Sequence, residues 1–121
     1  MVEIPQQLRD KVQQFQNIQN QLQLIVVQKT QLTQQILEID NALEELEKYG
    51  EGKIYERAGP ILIETTKEEI VKKLKDDKEL KNARLKSLEK QEAKLRERLN
   101  ELSVEIQSGI SSLSGGKIMG G

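Results

Sequence analysis

Along the first half of the chain, apolar side chains return in alternating steps of three and four: Leu8, Phe15, Ile18, Leu22, Ile25, Leu32, Ile36, Ile39, Leu43 and Leu46. A 3.5-residue period held over about five heptads predicts an α-helix with a narrow apolar seam that packs on a second helix. Lys11 and Lys29 fall on the same seam, where a single polar residue fixes register at some cost in stability. Pro5 suits a first helical turn, and Tyr49-Gly50 supplies a stop with Gly on the C-cap side. Helix one is expected over residues 5–48.

A second seam starts at Val71 and Leu74, weakens at Lys78 and Lys81, and resumes through Leu85, Leu88, Leu95, Leu99, Leu102, Ile106 and Leu113, broken by Glu92 and Gly109. Thr66 and Glu69 have capping-box spacing, in which the hydroxyl accepts from an orphan amide and the carboxylate accepts one in return. Helix two is expected over 67–113, and the Ser- and Gly-rich stretch 114–121 is expected as a flexible tail. Glu68/Lys72, Glu69/Lys73, Asp77/Lys81 and Glu92/Arg96 stand four apart and act more on solubility than on stability. At about 1.5 Å per residue each helix is about 60 Å long. The simplest arrangement is one domain in which the two fold back antiparallel, with both chain ends at a tip opposite the connector.

The connector, residues 49–66, is patterned. Lys53 to Arg57 and Ile61 to Thr65 are β-prone runs around Ala58-Gly59-Pro60, which predicts a β-hairpin. Two strands alone are marginal in water, and Ile54, Tyr55, Ile61, Leu62 and Ile63 have no core of their own. Open edges with aliphatic faces pair with other chains. The burial argument therefore calls for an oligomer whose hairpins close into a shared sheet or barrel.

Composition narrows the function. Only 36% of the 121 residues are hydrophobic and 2% aromatic, against 32% charged, so a compact globular core is not expected. The 19 basic and 20 acidic side chains leave no single-sign field for duplex DNA or an anionic membrane surface. There is no Cys and no His, and no Ser or Asp has a base or an orienting shell around it, so neither enzyme chemistry nor a metal or cofactor is expected. No apolar stretch has signal-peptide or membrane-span length, the longest aliphatic run being Leu24 to Val27. Gly115-Gly116-Lys117 lacks the first Gly and the final Ser or Thr of a phosphate loop.

The sequence resembles the β-type prefoldin subunits over nearly its whole length. The likeness is carried by the Gln-rich first helix, the Asn41-Ala42-Leu43-Glu44-Glu45-Leu46 close, Tyr55 followed by Gly59-Pro60 and Leu62, and the charged second helix. The resemblance implies a cytoplasmic hexamer of two α-type and four β-type subunits, with hairpins in a β-barrel platform and coiled coils projecting from it. It also implies an ATP-independent chaperone that holds non-native proteins at the coiled-coil tips and passes them to a group II chaperonin. Lys117 is a candidate for docking an acidic surface of that partner.

A protein that holds unfolded chains needs accessible aliphatic side chains on a mobile surface. The two ends offer Val2, Ile4, Leu8, Val12, Phe15, Ile106, Ile110, Leu113, Ile118 and Met119. Poor helix formers from Ser108 to Ser114 are expected to let that end fray. Leu8, Val12, Phe15, Ile106 and Ile110 read equally well as seam residues buried against each other. Ile4, Ile110, Leu113 and Met119 are the better client contacts because their neighbours cannot bury them. Gln fills twelve of the first 35 positions, a solvated helix surface in the plainer reading. The competing function is a homotypic coiled-coil scaffold or tether, in which the hairpin is only a dimer clasp.

Overall fold

A computed structural model describes residues 3–119, with the backbone alone over 115–119. The element order is α1 (Gln6–Lys48), β1 (Ile54–Ala58), β2 (Ile61–Thr65) and α2 (Lys67–Met119). Two long helices joined by one antiparallel hairpin is the architecture that the seams and the connector require.

The chain divides into two compact units. The first contains Met1–Val27 and Leu88–Gly121, and the second contains Gln28–Ser87. In the first, Leu8, Leu22 and Ile25 of α1 and Leu88 and Leu102 of α2 are buried, and Leu102 is 0% exposed. In the second, Leu32 and Ile39 are buried. All the other positions of both seams are half-buried, including Lys11, Lys29, Lys78, Lys81, Glu92 and Gly109. The 3.5-residue period thus survives its polar interruptions, because a long side chain lays its methylenes along the seam and sends its charge outward. The Lys78 ammonium ends 2.6 Å from Asp40 and that of Lys81 2.7 Å from Asp77. Arg96 lies 3.1 Å from Glu92.

Helix ends follow local chemistry, with three departures from the pattern-based reading. Pro5 precedes α1, its carbonyl accepting from the Leu8 and Arg9 amides at 3.1 Å. At the other end the positive-φ glycine is Gly52 (φ 152°) and not Gly50. The Tyr49 amide donates to the Glu45 and Leu46 carbonyls, and the Lys67 ammonium donates to the Tyr49 carbonyl at 3.1 Å.

Thr66 caps α2 as its spacing predicts, its hydroxyl accepting from the Glu69 amide at 3.2 Å. The Glu69 carboxylate, however, accepts from the Thr65 hydroxyl at 3.1 Å, because that neighbour also stands within its reach. Finally, α2 does not stop at 113 but continues to Met119, so 114–119 is helix where a flexible tail is expected. No Pro lies beyond Pro60 to break it, and each added residue gains a hydrogen bond at a propensity cost of at most about 1 kcal/mol for Gly.

The hairpin pairs Ile54 with Thr65, Tyr55 with Glu64, Glu56 with Ile63, Arg57 with Leu62 and Ala58 with Ile61. Gly59 and Pro60 form its two-residue turn, and Gly59 has φ 60°, the sign that a type II′ turn needs at its first central position.

Candidate functional site

Among the described residues no group of three or more His, Cys, Asp or Glu side chains could hold a metal ion. Nor is any helix there long and apolar enough to cross a membrane. What the fold presents is aliphatic surface left in water, at the hairpin and along the helices.

At the hairpin, strand alternation sorts the residues that read as one oligomerisation patch into two faces. Ile54, Ala58, Ile61 and Ile63 share one face with Glu56 and Thr65, whereas Tyr55 and Leu62 share the other with Arg57 and Glu64. Ile61, Leu62, Ile63 and Tyr55 are all exposed, Leu62 at 67%. Gly59 and Pro60 stay in the turn and contribute shape instead of apolar area. Each strand also has one backbone edge with no neighbour among the described residues, since the sheet contains β1 and β2 only.

The first of these faces is tied to α2. Glu56 sits opposite Ile63 and accepts a hydrogen bond from the Lys73 ammonium at 2.8 Å. That hydrogen bond, with the Coulombic attraction of the same carboxylate, raises the Lys73 pKa above the ordinary lysine value of 10.5. The contact lies on the side of the hairpin that carries Glu56 and Ile63, and Tyr55 and Leu62 lie on the opposite side.

In the unit that contains both terminal segments, the candidate client contacts divide by position on the helix. Ile4 is 50% exposed, Ile110 53%, and Val12 is exposed as well. Phe15, Ile106 and Leu113 are half-buried, and Leu8 is buried. Val2 and the side chains of Ile118, Met119 and Lys117 lie outside the described residues. The seam reading therefore holds for Leu8, and an accessible surface remains at Ile4, Val12 and Ile110.

Around that end the helices carry polar ties across their flanks. Lys11 lies 3.8 Å from Glu105, which also lies 3.8 Å from Arg98. Arg98 donates to the Gln14 carboxamide at 3.3 Å and to Glu101 at 3.1 Å. Exposed pairs of this kind add little stability, and the register rests on the buried leucines and isoleucine of the seam.

The heptad pattern places Ile25 in the seam and says nothing of Leu24, Val26 and Val27 beyond their share in the longest aliphatic run. In the structure Ile25 alone enters the seam, and Leu24, Val26 and Val27 are exposed. The signal was present in the sequence, since four consecutive apolar residues on an α-helix cannot all face one seam.

Residues 9–112 match the family described as Prefoldin subunit. A protein named prefoldin subunit beta from Archaeoglobus fulgidus is 38% identical over 116 residues, covering 95% of this chain and 100% of the relative. A protein of the same name from Pyrobaculum arsenaticum is 36% identical over 118 residues, covering 97% and 95%. The crystal structure of the prefoldin beta subunit from Thermococcus strain KS-1 superposes with a TM-score of 0.80 at 38% identity, covering 89% of this chain and 96% of that one.

Proposed function

The chain belongs to the prefoldin family, and from that premise we propose that it is a subunit of an ATP-independent holdase that binds unfolded polypeptides and keeps them from aggregating. Membership in this family supports a chaperone role, assembly with other prefoldin subunits, and a protein without catalytic activity. The finer reading is a cytoplasmic hexamer of two α-type and four β-type subunits, this chain being β-type. Hairpins join in a β-barrel platform, clients are held near the helix ends, and a group II chaperonin receives them.

The observation that carries this reading is aliphatic surface without shelter in its own chain. Ile61, Leu62 and Ile63 in one strand and Ile4, Val12 and Ile110 near the helix ends are exposed together. The strand edges suit β-augmentation by other subunits, which supplies main-chain hydrogen bonds and buries side chains. The terminal residues suit clients, each contact being weak and several subunits acting on one client through effective concentration. Binding the unfolded state in preference to the native one delays folding of the client without nucleotide.

The test is light scattering of a denatured client diluted into the complex formed with its α-type partner, without ATP. Suppressed aggregation is expected. Deleting residues 1–8 and 108–121 is expected to remove that activity while the assembly mass falls only by the deleted residues. Equal protection by the truncated complex would move the client site elsewhere, and no protection by the intact complex would favour the scaffold reading.

A further inference from the structure

In the unit built from Met1–Val27 and Leu88–Gly121, a groove runs beside the seam. Leu22, Val26, Val27, Leu99, Gln19 and Gln23 line it, the α1 residues falling at the spacing of one helix face. Arg96 completes the lining, with its guanidinium already 3.1 Å from Glu92. Val27 is 53% exposed. From Val12 to Gln28, α1 contains no charged side chain at all.

These facts select an occupant. A helix from a second copy would need an apolar stripe over several heptads and an interface of about 1,000 Å² or more. Here the apolar stretch lasts one turn, Leu24 to Val27, between Gln23 and Gln28. A charged partner would lose hydration and gain little, because the one charge in the groove is engaged. An extended apolar segment of a non-native polypeptide fits better. Its side chains cover the valines and leucines, and its unpaired backbone N–H and C=O groups meet carboxamides, each of which both donates and accepts. Such bonds do not depend on client sequence.

We infer that this groove is a second client contact, distant in sequence from the chain ends, which takes short uncharged apolar segments of unfolded polypeptide. The inference rests on the holdase reading and adds a site to it.

The test uses the complete assembly with the α-type partner and, as probe, reduced and alkylated α-lactalbumin, which stays unfolded. The double variant V26Q/V27Q keeps helix propensity and charge, and is expected to bind the probe about fivefold more weakly at unchanged assembly mass. A photo-crosslinking residue at position 23 is expected to capture the probe. If the double variant fails to assemble, V27Q alone decides, with about a twofold loss expected. Wild-type binding with equal binding by the variant would overturn the groove and leave the holdase intact. Crosslinking at position 23 to another copy of this chain without probe would also overturn it. No binding by the wild type would bring down both.

Discussion

Leu8 lies against Gly109: a Cβ added to Gly109 would stand 2.9 Å from the Leu8 Cδ1. The glycine that interrupts the second seam is thus the place where a leucine of the first seam is received. Gly109→Leu is expected to expel Leu8 into water. Exposing Leu8 costs about 1.5–3 kcal/mol, against a helix-propensity gain of about 1 kcal/mol, so a net loss of about 1 kcal/mol is expected in chemical unfolding. Unchanged stability would mean that Leu8 is not held there.

Leu102 is the most buried side chain described, at 0% exposure. Leu102→Ala is expected to cost about 2–5 kcal/mol, by lost transfer energy and the cavity left behind. Leu80, exposed at 70%, is the control, and Leu80→Ala should change stability by no more than about 0.5 kcal/mol. Denaturant titration of both variants reads the difference.

Thr66 holds the start of α2 through the Glu69 amide. Thr66→Ala is expected to cost about 1 kcal/mol and to speed hydrogen exchange at the amides of Glu68 and Glu69. Thr65→Val, which removes the hydroxyl donated to the Glu69 carboxylate and keeps the side-chain shape, should cost less.

Lys73 and Glu56 give a pH signature. The Lys73 pKa is raised by its hydrogen bond and Coulombic attraction to Glu56, so their mutual stabilisation is complete below the ordinary value of 10.5 and is lost as pH rises through the higher folded value. NMR titration of the Lys73 ammonium should give a midpoint above 10.5, and Glu56→Gln should lower it. An unmoved midpoint in the variant would sever the hairpin from that helix contact.

Both seams were legible in the sequence because burial on a helix repeats every 3.5 residues, whatever residue occupies the position. Even Lys11, Lys78 and Glu92 fall where the period puts them. The hairpin was equally legible from its β-prone runs and Gly59-Pro60. What the pattern did not give was pairwise. It could not show that Leu8 meets Gly109, that Glu69 turns to Thr65, or that Lys67 donates to the Tyr49 carbonyl. Nor did propensity set the end of α2, because weak helix formers still extend a helix when no Pro intervenes. Near the helix ends, seam position marked Leu8 as a residue that could be buried, but the pattern could not decide it, because that burial depends on Gly109, far away in sequence.

Ile61 and Ile63 lie on one hairpin face, and Leu62 lies on the other. Replacing Ile61 and Ile63 by Lys is expected to dissolve the oligomer with helicity by circular dichroism almost unchanged, because the helices have their own seam. Leu62→Lys tests the opposite face separately. Full assembly of both variants would count against burial of the hairpin between chains.

The most direct test is the native mass of the wild-type chain mixed with an α-type prefoldin subunit. Strands with exposed aliphatic side chains and unpaired edges predict that the two chains associate, and the proposed function sets the expected mass at four copies of this chain and two of the partner. A stable monomer at micromolar concentration, persisting beside the partner, would contradict it.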